Sequence, residues 1–380
     1  MALTLVHHPG YDFELPDFSR PGGSPGRGSL HAFDGRRASR ALGLHTELLA
    51  EAPGHGAAAT AAIPTWTSLV PVPATRAELE RVHHADYLDE LEDPARRAAA
   101  CAELMDLPAA AGAAPGLLEA SYLAPMRLAT GGTLAAVRRL LGGANARGLT
   151  DEPTDSAGAP TVHQIAINLS GGYHHAEPER GGGFCAYNDL ALAAELAVRE
   201  YGARRVLCVD LDAHQGDGTA RCFAELDARF ATAATLAEAE AGAPAPRLEL
   251  LDLFNGSIWP GDLAARELAA WSHPLADGTD GAAYLAVLDG ALGAALSAGD
   301  PPDLVLYNAG SDVLAGDPLG RLELDLAEVA ERDRRVLAAA RAAGVPLLAV
   351  ASGGYTDQSH RALAGLLGLA ADPPASPAAP

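Results

Sequence analysis

The chain contains no lysine: all 27 of its basic residues are arginine. Schiff-base catalysis and a lysine-bearing phosphate loop are thereby excluded. There are four cysteines, Cys101, Cys185, Cys208 and Cys222, and no CxxC pair. No disulfide framework is expected, and the compartment reads as reducing. Aromatic residues make up only 5%, and the heavy use of Ala, Gly and Pro reads as compositional bias rather than a functional signal. No apolar run approaches the roughly 18 residues of a membrane span. The opening MALTLVHHPGYDF lacks a basic start followed by a long apolar stretch, so neither secretion nor membrane insertion is expected and the location reads as cytoplasmic. Positive charge is scarce as well. With a formal net charge of -22 and no cluster of cations, a nucleic-acid-binding surface is not expected. An acidic surface instead attracts cationic substrates, although solubility is the simpler account of the charge.

What is present is a full apolar core, at 48% of residues. Short apolar runs recur at Leu3 to Val6, His163 to Leu169, Arg205 to Val209, Leu248 to Leu251, Leu304 to Tyr307 and Val345 to Val350. Helical patterns separate them at 35–52, 76–91, 127–142, 189–201, 282–298 and 325–343. Alternation of this kind predicts a single α/β domain over 1–370, with a mostly parallel central sheet between two helical layers. The stretches 143–160 and 229–246 read as surface insertions, and 371–380 (ADPPASPAAP) as a disordered tail.

The chemistry concentrates in VLCVDLDAHQGDG, residues 206–218, where a buried strand runs straight into Asp210, Asp212, His214 and Asp217. In an extended chain alternate side chains share a face, so Asp212 and His214 point the same way and can share one metal ion. Asp and His donors without Cys suit zinc, which in catalytic sites keeps three protein ligands and one open position. The alternative is a solvated turn, but two carboxylates ending a buried strand need a partner charge.

Other polar motifs also sit where strands stop. His174 and His175 follow the strand at 163–169, Asp312 follows 304–307, and Tyr355 follows 345–350. Ligands of open α/β sheets bind outside the carboxyl ends of the strands, so these segments are expected to converge. Asp312 is the natural third ligand. Two carboxylates neutralise a dication, so a separate base and a separate oxyanion donor are needed; the tandem histidines can supply the first and Tyr355 the second. Asp210 and Asp217 are free to accept from histidine Nδ1, which pairs His174 with Asp210 and His175 with Asp217. Gly172 and Gly183 allow close backbone approach, and Phe184 reads either as the wall of an apolar slot beside the metal or as an ordinary core residue. Cys185 reads as a packed small hydrophobe, and the other tandem pair, His83 and His84, as surface loop.

In order along the chain, HHA, RGGGFCAYND, DLDAHQGDG, FNGSIWPGD, YNAGSDVLAGD and SGGY resemble the zinc-dependent histone deacetylase family over about residues 5–368. Gln215, GGGFCAY, IWPGD and the early HAFD at His31 to Asp34 look like its class IV branch. The resemblance implies an arginase/deacetylase-type fold and hydrolysis of an acyl group, acetyl or longer, from an acylated lysine or similar amine. It implies zinc on Asp212, His214 and Asp312, with His174, His175 and Tyr355 as the reacting side chains. His175 is the preferred general base and His174 electrostatic, with exchange of those roles left open. A structural potassium site is implied at Asp210 with Asp212, His214, Asp252 and Leu253, and a basic residue near an internal cavity at Arg37.

The chain departs from the pattern at Asp217, where class IV relatives carry Asn. His175 is then expected to be the more basic of the pair. No acidic residue for gripping a peptide backbone is assignable at the rim, so acetylated polyamines and other small amides stay open beside acyl-lysine. An arginase-like two-metal hydrolase needs a carboxylate at position 314, where this chain has Leu314. A catalytically silent acyl-binding module is the remaining alternative.

Overall fold

A computed structural model describes residues 3–11, 36–51, 66–107, 112–145, 165–237 and 245–371. Eight strands form one parallel sheet: β1 (Leu3–Val6), β2 (Trp66–Leu69), β3 (Ile165–Asn168), β4 (Arg205–Asp210), β5 (Arg247–Asn255), β6 (Trp271–Leu275), β7 (Leu304–Asn308) and β8 (Leu347–Val350). Their order is β2-β1-β3-β8-β7-β4-β5-β6. The helices are α1 (Arg37–Glu51), α2 (Arg76–Leu79), α3 (Ala85–Glu92), α4 (Arg97–Leu104), α5 (Pro115–Leu118), α6 (Ala124–Asn145), α7 (Asp189–Tyr201), α8 (Asp217–Ala237), α9 (Leu263–Leu268), α10 (Gly281–Ser297), α11 (Leu326–Ala343) and α12 (Ser359–Ala371).

Each central strand is apolar on both sides. In β4, Val206 and Cys208 join one core while Leu207 and Val209 join the other. The two cores, on opposite faces of the sheet, give the three-layer α/β arginase/deacetylase arrangement. Each fully buried Leu or Val contributes about 1.5–3 kcal/mol. Helix ends are set locally: Asn188 caps α7, Asp325 makes a capping box with Glu328 at α11, and Gly202 and Gly344 end those helices in the left-handed region.

The site is placed by register. Asn168 pairs with Val350, Val350 with Asn308, Asn308 with Asp210, and Asp210 with Asp252. The carboxyl ends of β3, β8, β7 and β4 therefore lie side by side, with β5 running on past them to Asn255, and the loops that follow β3, β8, β7 and β4 carry the polar motifs.

Several expectations need correction. The helix expected over 76–91 is broken into α2 and α3, because His83 is pulled inward: its Nδ1 lies 2.9 Å from the Glu177 carbonyl, and its Nε2 accepts from the Asn188 N–H at 2.9 Å. His83 is thus a buried structural residue and not surface loop, while His84 is half-exposed. The insertion expected from 229 is helical through Ala237, with Phe230 buried; residues 238–244 lie outside the described residues. Helix α6 likewise runs to Asn145, and the rest of 143–160 lies outside the described residues, as do His31 to Asp34 and 372–380 of the tail. The tail's first residue, Ala371, closes α12.

Candidate metal centre and active site

Beyond Asp210 the β4 chain stays buried through Leu211, Asp212, Ala213 and His214. His214 Nδ1 lies 3.1 Å from Asp212 Oδ1 and 2.9 Å from Asp312 Oδ2. One donor atom from each of the three residues falls within 4.8 Å of the others. Neighbouring loops fix the carboxylates. Asp212 Oδ2 accepts from the Ser352 hydroxyl at 2.8 Å and the Gly353 N–H at 2.9 Å, and Asp312 Oδ1 accepts from the Ala213 N–H at 2.9 Å. Burial and the adjacent Asp212 push Asp312 up to about 7. Burial opposes charge on His214, yet its bonds to Asp212 and Asp312 carry it up to about 10. Two buried carboxylates around one imidazole nitrogen form a donor set that fits a divalent cation. Leu314, at the position a second metal needs, is buried and apolar.

The tandem histidines stand beside this cluster, their rings 4.0 Å apart. His174 Nδ1 lies 2.9 Å from Asp210 Oδ2, and His175 Nδ1 lies 2.7 Å from Asp217 Oδ1. The two rings differ in charge environment. Burial disfavours the imidazolium of His174, but attraction to Asp210 and Asp212 lifts it to about 10. Burial and the neighbouring His174 hold His175 down at about 4 despite Asp217. The order expected from Asp217 is therefore reversed: one carboxylate partner does not outweigh an adjacent cation, whereas His174 faces several carboxylates.

Tyr355 follows β8 on a loop held by Asp317, whose Oδ2 accepts the Tyr355 N–H at 2.9 Å. Its ring meets that of His214 edge-on at 6.2 Å. Burial and the carboxylates of Asp212 and Asp312 push its phenol well above the ordinary value, so the hydroxyl keeps its proton and can donate.

Asp212, His174, His175 and Tyr355 line one cavity of about 110 Å³. At its walls Gly183 (φ 48°) and Phe184 (φ 64°) both occupy the left-handed region. The Phe184 N–H donates to the Leu104 carbonyl, and its own carbonyl accepts from Tyr122. A Cβ on Gly183 would sit 2.4 Å from His175 Cδ2, and one on Gly172 (φ 81°) would sit 2.4 Å from Asn308 Oδ1; only glycine fits either place. Cys185 is buried against the same wall.

Sequence reasoning missed several contributors. Trp259, 54% exposed, packs edge-on to His175 with centroids 4.7 Å apart; its one signal was a half-exposed aromatic inside IWPGD. The cavity is also lined by the buried Tyr11, Ala38, Tyr122, Met126 and Leu169. Tyr122 arrives on a π-helical turn, Glu119–Leu123, between α5 and α6. Arg37, from α1, expected near an internal cavity, does line this one and donates to the Ser352 carbonyl. Asp106, exposed and at φ 50°, follows Leu104 by two residues, bringing a carboxylate to the segment that braces Phe184.

Next to the ligands, Asp210, which ends β4, and Asp252, its register partner within β5, are both buried. Burial and Asp210 drive the Asp252 carboxyl well above its ordinary range. Among the described residues, Asp252 Oδ1 and Asn308 Oδ1 have no hydrogen-bond partner. Buried orphan oxygens beside paired carboxylates fit a cation. Leu253 is buried on the same strand.

A family model described as histone deacetylase domain matches residues 35–367. Histone deacetylase 2 of Arabidopsis thaliana is 34% identical over 294 residues, covering 77% of this chain and 65% of the relative. An uncharacterised protein of Picosynechococcus is 38% identical over 198 residues, 52% of this chain and 58% of its own. Human histone deacetylase 1 is 30% identical over 200 residues, 50% of this chain and 36% of its own. The matched region spans less than two thirds of each relative's length.

Proposed function

The chain belongs to the histone deacetylase family, and from that premise we propose that it is a zinc-dependent amidohydrolase removing an acyl group from an acylated lysine or similar amine. The observation that carries this reading is the meeting of Asp212, His214 and Asp312, with Asp212 opening onto the cavity that His174, His175 and Tyr355 also line. The ion would be held by those three ligands and, when bound, supplies Lewis acidity to the amide carbonyl and the incoming water.

The protein's own groups do the rest. With Nδ1 committed to Asp217, His175 has Nε2 left to take a proton from the attacking water, and its low basicity keeps it neutral and ready to accept. His174, held as imidazolium against Asp210, contributes positive charge beside the developing oxyanion. The Tyr355 hydroxyl donates to that oxyanion, and His175 then returns its proton to the departing amine. Phe184 walls the cavity where an aliphatic stem would enter, and Trp259 packs on His175.

The inner space lined by Tyr122, Met126 and Leu169 supports acceptance of acyl groups longer than acetyl. Class IV character, a structural potassium ion at Asp210 and Asp252, and one catalytic domain over 1–370 complete the proposal. So does a reducing, cytoplasmic location, supported by four free buried cysteines. Among the described residues no helix is long and apolar enough to cross a membrane. Assay on a fluorogenic acyl-lysine series from acetyl to myristoyl, with and without chelator, tests the function: chelator-sensitive release is expected, and no release from any member refutes it.

A further inference from the structure

Arg332, on α11, is 1% exposed and takes no part in the chemistry above. Its Nη1 donates to the Leu211 carbonyl at 3.1 Å and to the Gly310 carbonyl at 2.5 Å. Leu211 lies one residue past the end of β4 and directly before Asp212; Gly310 lies two residues past the end of β7 and two before Asp312. Sheet hydrogen bonding stops short of both carbonyls, and buried carbonyls need a donor. One guanidinium supplies both. Its other nitrogens are committed: Nε donates to Asp333 Oδ1 at 2.9 Å and Nη2 lies 2.8 Å from the same oxygen. The Tyr307 hydroxyl, from β7 itself, also donates to Asp333 Oδ1. The guanidinium is thus oriented by a buried carboxylate that β7 in turn holds. A volume-filling role needs no charge, and an apolar side chain would occupy the space at lower desolvation cost.

We propose that Arg332 is a positioning residue for the metal centre, and that Asp333 orients it. The pair fixes the spacing between the segment bearing Asp212 and His214 and the segment bearing Asp312, a role that rests on the metal reading given above. Carbonyls adjoining ligands set the direction in which those ligands leave the backbone. The Ala213 N–H on Asp312 Oδ1 also links the two segments, but without the guanidinium their carbonyls adjoining the ligands lose a common anchor, and the three donor atoms lose their common focus.

The test uses the full-length chain with zinc and cobalt(II) as probes. In Arg332→Met, folded as judged by circular dichroism, zinc affinity from chelator competition is expected to fall about 10- to 100-fold. The visible absorption of the cobalt form should change shape, because it reports ligand geometry. A side chain that merely supports the core lowers the melting temperature of the metal-free protein and leaves both readouts alone. Arg332→Lys keeps the charge without the planar fork and is expected to lie between, roughly threefold or more below wild type. Zinc affinity within twofold of wild type and an unchanged cobalt spectrum in the methionine variant overturn the proposal. If that variant does not fold, the lysine variant decides: a loss supports the proposal, and wild-type affinity overturns it. A wild-type chain that takes up no zinc overturns the metal centre itself, a result distinct from equal uptake by wild type and variant.

Discussion

His175 Nδ1 stands 2.7 Å from Asp217 Oδ1, both side chains buried, so the ring's tautomer is set and its Nε2 is the nitrogen left for the substrate. His175→Ala should lower kcat/KM on an acyl-lysine substrate by about 10²- to 10⁴-fold while zinc content stays at the wild-type level. Turnover near wild type, measured alongside metal analysis, removes His175 from proton transfer.

Tyr355 keeps its proton because burial and the nearby Asp212 and Asp312 oppose phenolate formation. Tyr355→Phe deletes one donor to the oxyanion, and kcat should drop about 10²- to 10³-fold with KM changed little. A loss confined to KM, seen in steady-state kinetics, shows instead that the hydroxyl serves substrate binding.

Met126, buried, lines the cavity. Met126→Phe adds bulk there, so hydrolysis of octanoyl-lysine and longer substrates should fall about tenfold or more relative to acetyl-lysine, by the usual intolerance of filled space to added volume. Equal effects across the acyl series, compared as kcat/KM ratios, place the chain elsewhere.

Away from the site, burial pushes Asp227 up to about 6 although its carboxylate accepts the Leu248 N–H. The folded form binds this proton more tightly than the unfolded chain does. The group's contribution is therefore most favourable below the unfolded value near 4, and it is lost as pH rises toward 6. Asp227→Asn should melt about 1–3 °C above wild type at pH 7, with the gap closing near pH 4. A gap independent of pH in thermal unfolding assigns the effect to packing instead of ionisation.

The central strands and the polar motifs after them were legible because a parallel sheet buries both faces of β3, β4, β7 and β8 and places their carboxyl ends on one edge. Edge strands were not. Trp66–Leu69 and Trp271–Leu275 are half-exposed, lack a continuous apolar run and have one neighbour each. Arg332 sits in ERDRR, a stretch that reads as a solvated helix face, and nothing local reveals that this one arginine turns inward. Tyr11, Tyr122 and Met126 reach the cavity from segments remote in sequence, so only packing discloses them. The relative basicity of His174 and His175 was misjudged because it depends on Asp212 and on the other histidine, not on each ring's own partner.

Metal content by mass spectrometry, on the wild-type chain and on Asp312→Asn, bears most directly on a single-ion hydrolase built at Asp212, His214 and Asp312. The expected result is one zinc per wild-type chain and a large loss in the variant, with amide hydrolysis lost in parallel. Two manganese ions per chain, or undiminished zinc in Asp312→Asn, would contradict it.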